Sequence, residues 1–188
     1  PLNKVLRSLF CGAALTGALT CASLAADFTP CADTLHSLGL FEGTGSGYAL
    51  DRAPTRAEAA VMLVRLLGQE DAAKKLSYTA PFTDLAAWEQ PYIQYLYDNG
   101  LTQGTSVTSW SPEDMCDARM YAAFLLRSLG YSDTAGDFSY SDAAEAAAQL
   151  GVYDLAAVDT ELFNRDDAAA ASYTALAVSP KGEEGMLL

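Results

Sequence analysis

Histidine is almost missing from this chain, and that absence removes several kinds of chemistry at once. His36 is the single histidine and no Cys-x-x-Cys pair accompanies it, so no metal-ligand spacing of the zinc type is present. A nucleophile elbow is absent too. The many carboxylates sit in no pattern that would raise a pKa, which sets a hydrolase reading aside. Positive charge is scarce, with 11 Lys and Arg against 24 Asp and Glu and a net charge of −13. So acidic a chain does not bind nucleic acid or an anionic membrane non-specifically. Alternating strand patterns are thin, which leaves helices. No metal or other cofactor is expected.

A hydrophobic content of 51% in 188 residues supports one core or two small ones. Residues 1–25 are read apart from it. They carry a basic start at Lys4 and Arg7, an uncharged apolar middle, and Ser23 and Ala25 at −3 and −1 of a cut before Ala26. That is a signal-peptide pattern, too short in its apolar run for a membrane span. Its removal leaves 9 Lys and Arg against 24 acids and shifts the net charge from −13 to −15. The expectation is an exported protein with no membrane attachment after cleavage and a monomer favoured. Of four cysteines, Cys31 and Cys116 remain. In an exported chain they form a disulfide or serve as two small buried residues.

The stretch "PTRAEAAVMLVRLLG" (54–68) opens a repeat. Thr55 and Glu58 make a capping box, Ala59, Met62, Leu63, Leu66 and Leu67 form one stripe, and Gly68 stops the helix. Shifted by 62 residues it meets "DARMYAAFLLRSLG" (117–130), with Asp117 as cap and Leu125, Arg127, Leu129 and Gly130 in register. A third copy, "NRDDAAAASYTALA" (164–177), has Asn164 as cap and Asp167 in the place of Glu58. Gly39-Leu40, Gly100-Leu101 and Gly151-Val152 end a helix upstream of each. These lead helices are expected over about 28–39, 88–99 and 138–151, with polar joints between copies. Single two-helix units cannot bury their stripes alone. The fold class read from this is all-α. Three helix-loop-helix copies (28–77, 78–133 and 134–179) close into a pseudo-threefold module around a three-helix core, followed by a tail, 180–188, beyond which the natural chain continues or ends. Thr55, Asp117 and Asn164 then begin equivalent helices.

These stretches resemble the S-layer homology (SLH) family. The resemblance rests on "FTD" at 82–84, Trp88, the Gly-Leu turns, "WSP" at 110–112, "TRAE" at 55–58 and its variant "NRDD" at 164–167. It covers nearly all of 28–178. It implies an exported bacterial module that anchors proteins to the cell wall by binding an acidic, often pyruvylated, secondary wall polysaccharide. The arginine of T-R-A-E would contact the ligand in grooves between copies.

Arg56 is otherwise out of place, because a cation at the first turn opposes the helix dipole. Beside the helix-start N–H groups it would make a carboxylate site, partly exposed in a groove. The alternative is a local pair with Asp51. Arg165 repeats the position, with Asp166 and Asp167 able to neutralise it locally. Copy two departs, with Ala118 for the arginine, Met120 for the glutamate, and Arg119 displaced by about 100° around the helix. Trp88 fits core packing or a sugar platform, and Asp84 fits a cap for the following helix or a bond to ligand hydroxyls. Trp110 packs under its loop, and Gly104 in that loop is counted with the ligand-binding residues. The competing function is an exported protein–protein scaffold whose glycan sites have decayed.

Overall fold

The computed structural model describes residues 27–182; the expected signal peptide and the last residues of the tail lie outside them. Within these residues the chain is helical, with two isolated β-bridges and no strand. The helices are α1 (Thr29–Ser37), α2 (Arg56–Leu66), α3 (Glu70–Ala73), α4 (Gln90–Asp98), α5 (Ala118–Ser128), α6 (Ala143–Gln149) and α7 (Arg165–Ala175). A 3₁₀ turn, Tyr140–Asp142, precedes α6.

The capped helices begin where side chains satisfy backbone donors. Thr55 Oγ1 accepts the Glu58 N–H at 3.2 Å, and the Glu58 carboxylate accepts the Thr55 N–H at 3.0 Å. Asp117 accepts the Met120 N–H at 2.7 Å, and the Asp167 carboxylate accepts the Asn164 N–H at 2.9 Å. The lead helices stop at glycine. Gly100 adopts φ 69°, open only to a residue without Cβ at low cost, and the Leu101 N–H then reaches back to the Leu96 carbonyl at 2.8 Å. The next residue is thereby turned into the core, where Leu40, Leu101 and Val152 are all buried.

Two elements differ from the sequence reading. Helix α4 starts at Gln90 rather than Trp88, because Pro91 is tolerated only in a first helical turn. Trp88 therefore sits on no helical face and is 55% exposed, which corrects its placement in the core. The joint after copy one contains the short helix α3, whose Glu70 ties back to Arg65 at 3.1 Å.

Helix α2 buries more than a stripe, with Ala57, Ala59, Ala60, Val61, Met62, Leu63, Val64 and Leu66 all covered. A helix covered on all sides sits at the centre of its fold. Here α2, α5 and α7 touch pairwise. Around them α2 packs on α4, α5 on α6, and α7 on α1, so each capped helix meets the lead helix of another copy and the first helix meets the last. The Tyr121 and Ser172 hydroxyls bond across α5 and α7 at 2.7 Å, which keeps that buried contact satisfied.

Cys31 and Cys116 do not bond to each other. Cys31 lies in a small cluster with Phe28 and Ala170, whereas Cys116 belongs to the main core. The disulfide alternative is therefore corrected to two buried side chains; burial raises the Cys116 thiol far above its ordinary value.

Candidate functional site

The start of α2 is covered by a loop from copy two. The Arg56 N–H donates to the Asp114 carbonyl at 2.8 Å and the Ala57 N–H to the Pro112 carbonyl at 3.0 Å. With Glu58 N–H on Thr55, the first three amides of the helix are all engaged. The expected use of those amides for a ligand carboxylate is thus corrected: a neighbouring copy already holds them. The start of α7 is built the same way, with the Arg165 N–H on the Arg52 carbonyl at 2.9 Å and Asp166 on Leu50 at 3.2 Å. No such pair joins the start of α5 to copy three among the described residues.

That loop also grips the arginine side chain. Arg56 Nε donates to the Trp110 carbonyl at 3.0 Å, and the guanidinium lies 4.5 Å from the centre of the Trp110 ring. Trp110 is itself fully buried under its loop, its indole N–H on Thr102 at 3.0 Å, as the sequence suggests. Asp84 sets the loop. Its carboxylate accepts the N–H groups of Trp110 and Ser111 at 2.9 and 2.8 Å and the Ser109 hydroxyl. These bonds hold Ser111 at a left-handed φ of 57°. Asp84 is therefore a loop anchor that positions Trp110, which corrects its reading as a helix cap. Although the covering loop partly desolvates it, those bonds keep its carboxyl below the usual aspartate range.

What remains of the Arg56 guanidinium is thinly partnered. Nη1 rests 3.2 Å from the Met120 sulfur, a weak acceptor, and neither Asp51 nor any other carboxylate pairs with it among the described residues. The residue is only 7% exposed, so the expected partly exposed arginine is corrected to a buried one. Its burial follows from the loop of copy two folding over it. Desolvation pulls its pKa below the ordinary arginine value, against the opposing pull of Cys116, Tyr140, Asp114 and Asp84.

The guanidinium borders a cavity of about 320 Å³ shared with Gly104, Met120, Phe124, Arg127 and Tyr140. A Cβ on Gly104 would collide with the Phe82 ring and the carbonyls of Ser106 and Ser109, so the loop closes this tightly only around glycine. Trp88 does not line the cavity. Arg127 is engaged in a fork with Asp133 at 3.0 and 2.6 Å.

Arg165 has the same backbone clamp and different neighbours. Nε donates to Tyr48 O at 2.9 Å and Nη2 to Glu42 O at 3.3 Å, above the Phe41 ring. Nη1 lies 3.9 Å from the Glu58 carboxylate, itself forked by Arg52 at 2.7 and 2.6 Å. Asp166 and Asp167 are not its partners. Sequence reasoning missed Tyr140, Arg127 and Met120 as cavity neighbours. One signal existed: "FSY" (138–140) aligns with "FTD" (82–84) and puts Tyr140 where copy two has Asp84.

No family model matches the chain. It is 29% identical over 115 residues to a middle cell wall protein of Brevibacillus brevis, covering 60% of this chain and 11% of that protein. It is also 29% identical over 100 residues to a surface layer protein of Brevibacillus choshinensis, 52% of this chain and 9% of that one. A shorter match, 34% over 64 residues, joins 33% of this chain to 7% of an endoglucanase from a Bacillus species. The chain spans about a tenth of the length of these relatives. Its relatives thus include cell-wall and surface-layer proteins, which supports the cell-wall or cell-surface location expected from the sequence. No helix of the described residues is long and apolar enough to cross a membrane.

Proposed function

We propose that this chain is a non-catalytic cell-wall-anchoring module of the S-layer homology type, which takes a carboxylate of an acidic, pyruvylated wall polysaccharide on Arg56. One observation carries the reading: Arg56 is more than nine-tenths buried, borders a cavity, and its guanidinium has no carboxylate partner among the described residues. An isolated buried cation costs a fold several kcal/mol, and an external anion removes that cost. The cavity offers the Arg56 guanidinium, an Arg127–Asp133 pair, hydroxyls and an aromatic residue, which suit a charged sugar.

The same reading divides the module into copies at 28–77, 78–133 and 134–179 around an approximate threefold axis. The cyclic packing of α2 on α4, α5 on α6 and α7 on α1 supports it. A second reading, the exported protein–protein scaffold, draws support from Ala118 and from Glu58 beside Arg165, which leave one open site of three. The test is calorimetry of the folded chain on purified bacterial wall polysaccharide before and after removal of its pyruvyl groups. Binding that depends on the pyruvyl groups and is lost in Arg56→Lys, which keeps the charge without the planar fork, upholds the anchoring reading. Equal binding of both polymers, or none, rejects it in favour of the scaffold.

A further inference from the structure

Among the described residues Tyr140 is the one from copy three on the Arg56 cavity, and it aligns with Asp84 of copy two. In copy two the aligned residue, Asp84, holds the loop that clamps Arg56. A matching aspartate in copy three would anchor the third loop against the start of α5. That junction has neither an arginine (Ala118 stands there) nor the backbone pair seen at the other two, and it carries Tyr140 where the loop over Arg56 has Asp84. Tyr140 is released from that task, and its ring instead lines the Arg56 cavity while remaining 39% exposed.

Arg119, the displaced arginine of copy two, completes the arrangement. Its guanidinium lies 5.3 Å from the centre of the Tyr140 ring and is held by Asp117 at 3.0 Å. A cation over the ring fixes its orientation and reaches no acceptor inside the cavity. Residues at the third junction thereby form one wall of the first site.

We infer that Tyr140 is a specificity-determining contact of the Arg56 cavity, an aromatic wall for the apolar face of a sugar whose carboxylate is on Arg56, with Arg119 as its positioning residue. This rests on the anchoring reading. It adds that the ligand is an acidic sugar bound as a ring, and that a small carboxylate without a ring is a poor ligand. Aromatic walls suit sugars because the ring covers C–H groups while hydroxyls stay at the polar rim, here Gln103 and Thr105.

The experiment uses two soluble probes on the full chain: a monosaccharide carrying a pyruvyl acetal, and pyruvate itself. The wild type is expected to bind the sugar and to bind pyruvate much more weakly. Tyr140→Ala and Tyr140→Leu each lose about tenfold on the sugar, with no change for pyruvate, while Tyr140→Phe keeps binding. Leucine keeps apolar cover if alanine disturbs the fold, and thermal melts of all three stay near wild type because the ring is surface-borne. Arg119→Gln weakens sugar binding about threefold and Arg119→Lys recovers part of it, which a merely structural arginine would not show. If the wild type binds the sugar and both Tyr140→Ala and Tyr140→Leu bind it equally well, the inference is overturned and the anchoring reading stands. If the wild type binds neither probe, the anchoring reading itself has failed.

Discussion

Arg56 and Arg165 open two helices in the same way and face opposite fates. Each donates its backbone N–H and its Nε to carbonyls of a loop from another copy, and each lies over an aromatic ring. They differ in what faces the rest of the guanidinium, and the third residue of the adjacent helix marks that difference. Near Arg165 the third position of α2 is Glu58, a carboxylate already forked by Arg52. Near Arg56 the third position of α5 is Met120, a thioether. Arg165 has a carboxylate 3.9 Å away that it shares with Arg52, whereas Arg56 has none among the described residues and borders a cavity. A capping glutamate thus serves two ends, closing its own helix and facing the neighbouring arginine. Its loss from copy two opens the site.

The comparison breaks most visibly in alanine variants. Arg56→Ala is expected to reduce binding to pyruvylated wall polymer by about 1.5–3 kcal/mol, tenfold or more. Its stability falls by only about 1 kcal/mol, because relief of a desolvated charge offsets the lost bond to Trp110. Arg165→Ala should reverse the pattern, with stability lower by about 2–3 kcal/mol and polymer binding unchanged, since its bonds to Tyr48 and Glu42 are structural. Calorimetry and denaturant melts of both variants check the pair. Equal effects on both quantities would erase the distinction.

Asp84→Asn sharpens it further. The loop keeps its shape partly and loses charge-assisted bonds to Trp110 and Ser111, so Arg56 binding should fall about fivefold with a stability loss of about 1 kcal/mol. Nothing comparable is expected at Arg165, where the aligned position holds Pro30.

How far these sites were legible from sequence follows from range. The caps at Thr55, Asp117 and Asn164 and the glycine stops lie within a few residues of what they satisfy, so local pattern reveals them. The engagement of the α2 amides by Pro112 and Asp114 spans more than fifty residues, and no local pattern reports it. Asp84 misled for the same reason: its partners are Trp110 and Ser111, not the helix that follows it. Trp88 was misplaced because Pro91 delays the helix by two residues. The oddity of Arg56 at a helix start is local and visible in sequence, but its burial depends on a loop from another copy. Tyr140 is visible only once "FSY" is laid against "FTD" and the third junction is seen to be missing.

The smallest effect expected concerns acid. Arg65 holds the Glu70 carboxyl down at about 2, with Lys74 and Tyr92 adding to the pull, against an ordinary value of 4.5. A depressed carboxyl contributes stability above its ordinary value, and that contribution fades as pH falls from about 4.5 toward 2. Melts of the wild type and Glu70→Gln should differ at pH 7 and converge near pH 2. This tie joins copies one and two away from the cavity, so neither arginine's binding should follow it.

The most direct test of the central claim installs the missing carboxylate. Met120→Glu gives α5 the residue that Glu58 gives α2, within reach of the Arg56 guanidinium. The account predicts that this variant melts at or above the wild-type temperature and that its binding to pyruvylated wall polymer drops at least tenfold by calorimetry. Undiminished binding in a folded Met120→Glu protein would show that the charge of Arg56 is not held open for an external anion, and would contradict the account.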